Sequence, residues 1–224
     1  LRAKGTTPHT LVLTATPIPR TVAMTVFGDL DVSTIRTMPP GRAGIQTFVA
    51  PLAEKPAWFN RVWDRVTEEV AAGRQAFVVC PAIDSEAATK DDTADELVDD
   101  DAAGKRTRWG VVQVADLLSR LPAYGALRVQ ILHGKMPSDE KDAVMQAFSR
   151  GEIDVLVATT VVEVGVDVPN AAAMVILEAD RFGVSQLHQL RGRVGRGGVP
   201  GICLLVTEAA PGSSARMRVD AVAS

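Results

Sequence analysis

The sequence predicts an α/β domain: a parallel sheet with helices on both faces, in three layers. Three observations carry this. From Ile45 onward, short apolar runs alternate with segments of helical periodicity. The apolar runs (AFVVC, VLVA, AMVIL, ICLLV) are near-continuous, as strands buried on both faces are. Gly, Pro and polar capping residues punctuate the joins.

Taken in order, residues 11–15 form a short apolar strand, closed by Thr-Ala-Thr-Pro. Pro17 and Pro19 forbid a helix before that point, and residues 20–27 can then be helical. Gly28 and Met-Pro-Pro-Gly at 38–41 mark an irregular connector. Residues 45–50 read as a strand. Residues 55–73 read as a helix, with Phe59, Val62, Trp63, Val66 and Val70 at helical spacing and Gly73 just past its end. A buried strand spans 75–80 and stops at Pro81. Helix returns over 109–121, strand over 127–132. Ser138 is placed as the cap of the next helix, with Asp139 and Glu140 in its positive first turn and Gly151 at its end. Strands follow at 153–158, 173–177 and 202–206.

Residues 84–108 break the pattern and are expected to be a solvated, acidic, disordered insertion. They also distort the charge balance. The formal net charge is −3, yet residues 84–101 hold nine acids against Lys90; the other residues carry 23 bases and 18 acids, a surplus of +5. That surplus is compatible with a phosphate-backbone partner. No apolar run approaches the roughly 18 residues that span a membrane. No N-terminal signal segment and no initiator Met are present, so the chain is expected to be a piece of a longer protein. Cys80 and Cys203 sit inside apolar runs and read as buried strand residues. No Cys/His spacing suggests a metal, and the expected setting is the reducing cytoplasm.

The chemistry gathers in residues 155–197. VLVATTVVEVGVDVPNA reads as a strand running into a Thr- and Gly-bearing loop; SQLHQLRGRVGRG reads as an arginine-packed helix. Gln189, Arg193 and Arg196 are spaced i, i+4 and i+7, which on a helix puts them on one face. Gly192 and Gly195 each cost a helix roughly 1 kcal/mol relative to Ala, which points to a close backbone approach. Planar, permanently charged arginine forks beside bare backbone suit a phosphate. Thr159 and Thr160 follow a strand end and can bond a phosphate oxygen without any base contact. His133-Gly134-Lys135 at another strand end is a weaker phosphate signal, against a solvated turn. Two other features are missing. No G-x-x-x-x-G-K-[ST] loop occurs, since the Lys of Gly104-Lys105 and of Gly134-Lys135 is followed by Arg and Met. No acidic motif ends a buried strand where it would hold Mg²⁺.

These segments resemble motifs V and VI of superfamily 2 helicases, and TATPIPRT at 14–21 resembles motif III of the same machines. TATPIPRTVAMTVFGDLDVSTI, VVCPAIDSE and DRFGVSQLHQLRGRVGRG are most similar to the RecG family of branched-DNA translocases. The resemblance implies a RecA-like second helicase lobe at 45–224. It makes 1–44 the remnant of the first lobe, with motif III, and the inter-lobe connector. It implies catalytic roles for Gln189, Arg193 and Arg196, and ATP contacts from Gly165, Asp167, Arg193 and Arg196. Nucleic-acid contacts would come from Thr159, Thr160, His133 and Gly134, and lobe coupling from Thr14 and Thr16. ATP and Mg²⁺ would be held mainly by a first lobe that this chain lacks, so the chain alone should not hydrolyse ATP. The implied partners are branched double-stranded DNA (forks, Holliday junctions) and single-stranded-DNA-binding protein. Two rivals stand beside this reading: the same lobe of a transcription-repair coupling factor, and a non-catalytic RecA-like binding module.

Overall fold

The computed structural model describes residues 44–84, 109–160 and 168–224. Residues 1–43 of the expected first-lobe remnant, Thr14 and Thr16 included, residues 85–108 of the insertion expected at 84–108, and Gly165 and Asp167 lie outside the described residues.

Besides two short 3-10 turns, the described residues form six strands and five α-helices. In chain order these are β1 (Ile45–Pro51), α1 (Trp58–Ala71), β2 (Gln75–Val79), α2 (Val111–Arg120), β3 (Val129–Leu132), α3 (Ser138–Ser149), β4 (Val155–Ala158), β5 (Ala171–Ile176), α4 (Val184–Arg191), β6 (Gly201–Thr207) and α5 (Ser214–Ala223). All strand pairs are parallel, in the order β1-β6-β5-β2-β4-β3. The four inner strands are buried at every residue; edge strands β1 and β3 alternate. A strand covered on both faces has no polar side to show.

Two apolar clusters, one on each face, complete the three layers. On one face, Val62, Trp63 and Val66 of α1 and Val111, Val114 and Leu118 of α2 pack on Val78, Val157 and Val175. On the other, Phe148 of α3, Leu187 and Leu190 of α4 and Val219 and Val222 of α5 pack on Phe77, Leu156, Met174 and Leu205. Aromatic contacts knit the first face: Phe59 stacks on Trp109 at 4.8 Å and meets Trp63 edge-on at 5.4 Å. Cys80 and Cys203 are buried, as the apolar runs around them predict. Burial pushes the Cys203 thiol up to about 12, and burial and then Glu178 push Cys80 up too.

Two helix ends follow directly from glycine. Gly73 (φ 79°) donates to the Val70 carbonyl while Arg74 donates to Glu69; Gly151 (φ 75°) donates to Phe148 while Glu152 donates to Ala147. Each is the paired C-terminal motif in which a left-handed residue lets two orphan carbonyls be satisfied. Ser138 corrects an expectation. The residue at the cap is Pro137 (φ −53°, ψ 148°), and no side chain caps this end. Ser138 is the first helical residue, because the extended backbone that a cap requires has already been taken by proline. Asp139 and Glu140 do lie in the first turn.

Polar groups secure the side of the sheet where the strands begin. Buried Gln75 donates through Nε2 to the carbonyls of Phe148 (2.7 Å) and Ile153 (2.6 Å), joining β2 to the end of α3. Arg128 grips Asp154 through Nη2 (2.6 Å), Nε (3.1 Å) and its backbone N–H (2.8 Å). That hydrogen-bonding holds the Asp154 carboxyl below the usual range.

Gln75→Leu strands the buried Ile153 carbonyl and leaves the Phe148 carbonyl with its Gly151 donor alone. A buried carbonyl left without a partner costs about 1–3 kcal/mol, so urea unfolding should show a loss of about that size. Asp154 contributes stability above the unfolded Asp pKa of about 3.9, and this is lost as pH falls through its lower folded value. Asp154→Asn should therefore lose about 1 kcal/mol at pH 7, and the gap between wild type and variant should close toward pH 3. A gap that stays constant across that range would show that the pairing contributes nothing through charge.

Candidate phosphate-contact sites at the two edges of the sheet

Because every strand runs the same way, all strand ends face one edge and all strand starts the other. The predicted site residues divide between these edges.

At the edge of strand ends, Leu132 of β3 and Ala158 of β4 are register partners. His133 and Thr159 are the next residues along, and the Thr159 N–H donates to the Leu132 carbonyl at 3.2 Å. The structure thus brings together the four residues expected to meet nucleic acid. A turn closed by Met136 N–H to the His133 carbonyl (3.2 Å) puts exposed Gly134 and Lys135 at its tip. Thr159 and Thr160 are half-buried. Nδ1 of His133 is buried and has no hydrogen-bond partner among the described residues. A buried ring nitrogen without a partner is a position that a ligand or water can satisfy. At the same edge, just past β5, Glu178 lies in the left-handed region (φ 48°, ψ 50°), a conformation unfavourable by roughly 1–2 kcal/mol for a residue with a Cβ. Nothing in the sequence signals it.

At the edge of strand starts, α4 ends sooner than the arginine spacing predicts. Gln189 is helical, but the helix stops at Arg191 and Gly192 caps it. Arg193 and Arg196 therefore do not share a helical face with Gln189. The backbone bonds show why. Gly192 N–H still reaches back four residues to His188, Arg193 reaches only three, to Leu190, and Val194 barely meets Arg191 at 3.5 Å. Gly195 then adopts φ 71°, and its N–H donates to the carbonyl of Ala171, the first residue of β5, at 3.3 Å. Buried Val194 pins the turn to the core. Arg193 is half-buried and Arg196 exposed; Nε of Arg196 donates to the Gly192 carbonyl at 2.8 Å. Arg191 does structural work instead, donating to the Val222 carbonyl of α5 at 2.7 Å.

The close backbone approach expected from the glycines is present, at positions further along. A Cβ on Gly197 would lie 2.4 Å from the Pro169 carbonyl oxygen, and one on Gly201 would lie 3.0 Å from the Gly195 nitrogen. Pro169 belongs to the segment that enters β5, so the Thr-bearing loop and the arginine turn meet here. The consecutive glycines at 197 and 198 were the signal for this contact. β5 is six residues long, so roughly 17 Å separates the two edges at about 3.3 Å per residue.

As to ligands, guanidinium groups on a turn with bare backbone fit a phosphate. Among the described residues no group of three or more His, Cys, Asp or Glu could hold a metal ion. Among them, too, no helix is long and apolar enough to cross a membrane.

Comparison with known proteins bears on the fold and the family. The helicase conserved C-terminal domain family matches residues 102–198. The chain is 53% identical over its whole length to the ATP-dependent DNA helicase RecG of Mycobacterium bovis, covering 29% of that protein. It is 49% identical over 92% of its length to the protein of that name from Staphylococcus aureus, covering 27% of it. The chain thus spans less than a third of these relatives. A solved structure of RecG bound to a three-way DNA junction matches 93% of this chain and 24% of its own, at 40% identity and TM-score 0.70. Yeast Dbp5 bound to RNA and ADP BeF3 shares the fold, at 16% identity and TM-score 0.55 over 91% of this chain and 44% of its own. Six parallel strands between two helical layers are the RecA-like architecture of such lobes, and the full-length sequence match decides the kinship: the chain belongs to the RecG family, as a segment of its helicase C-terminal lobe.

Proposed function

We propose that this chain is the second motor lobe of an ATP-dependent DNA helicase that remodels branched DNA, regressing forks and migrating Holliday junctions in recombination and repair. The observation that carries the reading is the 53% identity to a RecG helicase along the whole chain, joined to a fold that puts the two sets of phosphate-binding candidates on opposite edges. A motor of this kind needs one surface that holds nucleic acid and another that answers to the nucleotide.

In this reading the strand-end edge holds the DNA backbone. Thr159, Thr160 and the His133–Gly134 turn contact phosphates, which position the duplex without reading sequence. The orphaned Nδ1 of His133 supports it. The other edge serves ATP: Arg193 and Arg196 approach its terminal phosphates once a first lobe closes on this one, with Gln189 at the end of the preceding helix; Gly165 and Asp167 are further ATP contacts on the resemblance alone. ATP, when bound, supplies the phosphoryl group whose hydrolysis drives the motor; Mg²⁺ and the phosphate-cradling loop belong to the first lobe. Thr14 and Thr16 couple the lobes. The chain alone would then turn over no ATP, since its sequence has arginines for a phosphate but no phosphate-cradling loop, and its described residues hold no group of carboxylates for a metal. Forks and Holliday junctions in the cytoplasm are the proposed substrates. Single-stranded-DNA-binding protein is a further partner, on the resemblance alone.

The two edges should separate under mutation. In the full-length helicase, Arg196→Ala should cut DNA-stimulated ATP turnover by about 10³-fold or more, the typical worth of an arginine finger, with little change in ATP or DNA binding. Lys should rescue it poorly, since one ammonium does not reproduce the planar fork. Thr160→Ala should weaken DNA binding similarly for all sequences and leave turnover at saturating DNA nearly intact. Steady-state ATPase and DNA titrations on both variants read this out. Normal turnover in Arg196→Ala removes the finger; a sequence-dependent loss in Thr160→Ala removes the backbone contact.

A further inference from the structure

We infer that Gly197 is a positioning residue: it seats the Pro169 carbonyl against the arginine turn and so sets where Arg196 stands. The inference rests on the reading of Arg196 as the group that meets the nucleotide.

Three close contacts define the turn. Gly195 N–H is bonded to the Ala171 carbonyl at 3.3 Å. The site of a Cβ on Gly201 is 3.0 Å from Gly195 N and 3.1 Å from its Cα. The site of a Cβ on Gly197 is 2.4 Å from the Pro169 oxygen, 2.9 Å from its carbonyl carbon and 3.1 Å from its Cβ. The first two hold the turn to the sheet, one step before Arg196. The third holds it one step after, and against a different partner: the segment that begins at Thr159 and Thr160 on the far edge and enters β5 past Pro169. Arg196 is thus bracketed by two backbone contacts. Its own guanidinium is bonded back to the Gly192 carbonyl at 2.8 Å, which ties the side chain to the same turn.

The tolerance of this bracket is small. Non-bonded carbon and oxygen settle near 3.5 Å, so a methyl on Gly197 must push the two segments apart by about 1 Å. The two nearest obstacles are backbone atoms, which cannot rotate away, and the third is the ring-bound Cβ of Pro169. Gly198 is different: its φ is 75°, and a Cβ there meets nothing within 4 Å. So Gly198 is glycine for its conformation and Gly197 for contact. A misplacement of about 1 Å in a group that acts in the transition state can cost about 10²-fold.

The test is a double-mutant cycle in the full-length helicase. Gly197→Ala should lower the DNA-stimulated kcat by about 10- to 100-fold, with KM for ATP and DNA affinity within roughly twofold of wild type. In an Arg196→Ala background the same change should cost less than about twofold, because it acts only through that arginine. A general loss of structure would instead slow both backgrounds equally, and that result overturns the inference. So does normal turnover in Gly197→Ala while Arg196→Ala is slow. If Arg196→Ala is itself near normal, the reading beneath fails and takes the inference with it. Should Gly197→Ala not fold, Pro169→Ala makes the same test without a clash. It frees the backbone at 169, and a several-fold loss of kcat confined to the Arg196 background is expected. An equal loss in both backgrounds, or none in either, overturns the proposal.

Discussion

Six strands pointing the same way give the sheet two chemically unlike edges, and the arrangement of everything else depends on that. A parallel ladder cannot be closed by hairpins, so each strand must be followed by a crossover that returns the chain to the opposite edge. Turns at strand ends are therefore separated from turns at strand starts by the length of a strand. His133 and Thr159 come together because β3 and β4 end side by side. Arg193 and Arg196 are held away from them because the turn after α4 must return to the start of β6. Thr159 follows β4 at one edge and Pro169 precedes β5 at the other, where it meets Gly197.

The helical layers make the edges rigid rather than merely separate. Both faces of the inner strands are filled, so a strand cannot shift its register without moving side chains into the opposite layer. Gln75 adds a polar lock at the start of β2, where it ties the sheet to the last turn of α3. Burying an amide is costly unless its hydrogen bonds are made. Here two are, and the lock therefore specifies position at little net cost.

Much of this was legible in the sequence, for identifiable reasons. Continuous apolar runs gave the inner strands, since being covered on both faces leaves no polar alternation. Gly73 and Gly151 marked helix ends because only a left-handed residue closes that motif cheaply. Periodicity failed at the arginines. Spacing of i, i+4 and i+7 is a necessary sign of a shared helical face but is blind to where the helix stops. The helix stops at Arg191, where the backbone bonds shorten from four residues to three, and Gly195 then turns its N–H to a partner on β5, a residue far away in sequence. Strand order was equally hidden: β1 lies beside β6 at one edge, and no local pattern encodes that. Ser138 misled because Ser is a good cap, but Pro137 already had the extended backbone the position requires. Glu178 left no trace, since strain at one backbone position has no compositional mark.

The failure of the helix expectation sharpens the chemical picture. On a continuous helix, Gln189, Arg193 and Arg196 would move as one body, and their separation would be fixed by the helical rise. On the turn, Arg196 owes its position to contacts with three other pieces of chain: the end of α4, the start of β5 and the segment through Pro169. Such a group is held firmly when all three are in place and less firmly when any one shifts. In the proposed role the firmness matters, because catalytic groups aligned before the reaction need no reorganisation during it. It also means that a shift of Pro169 acts on the arginine turn through backbone contact. Glycine at 197 is the condition for that contact, because a side chain there would hold the two backbones apart.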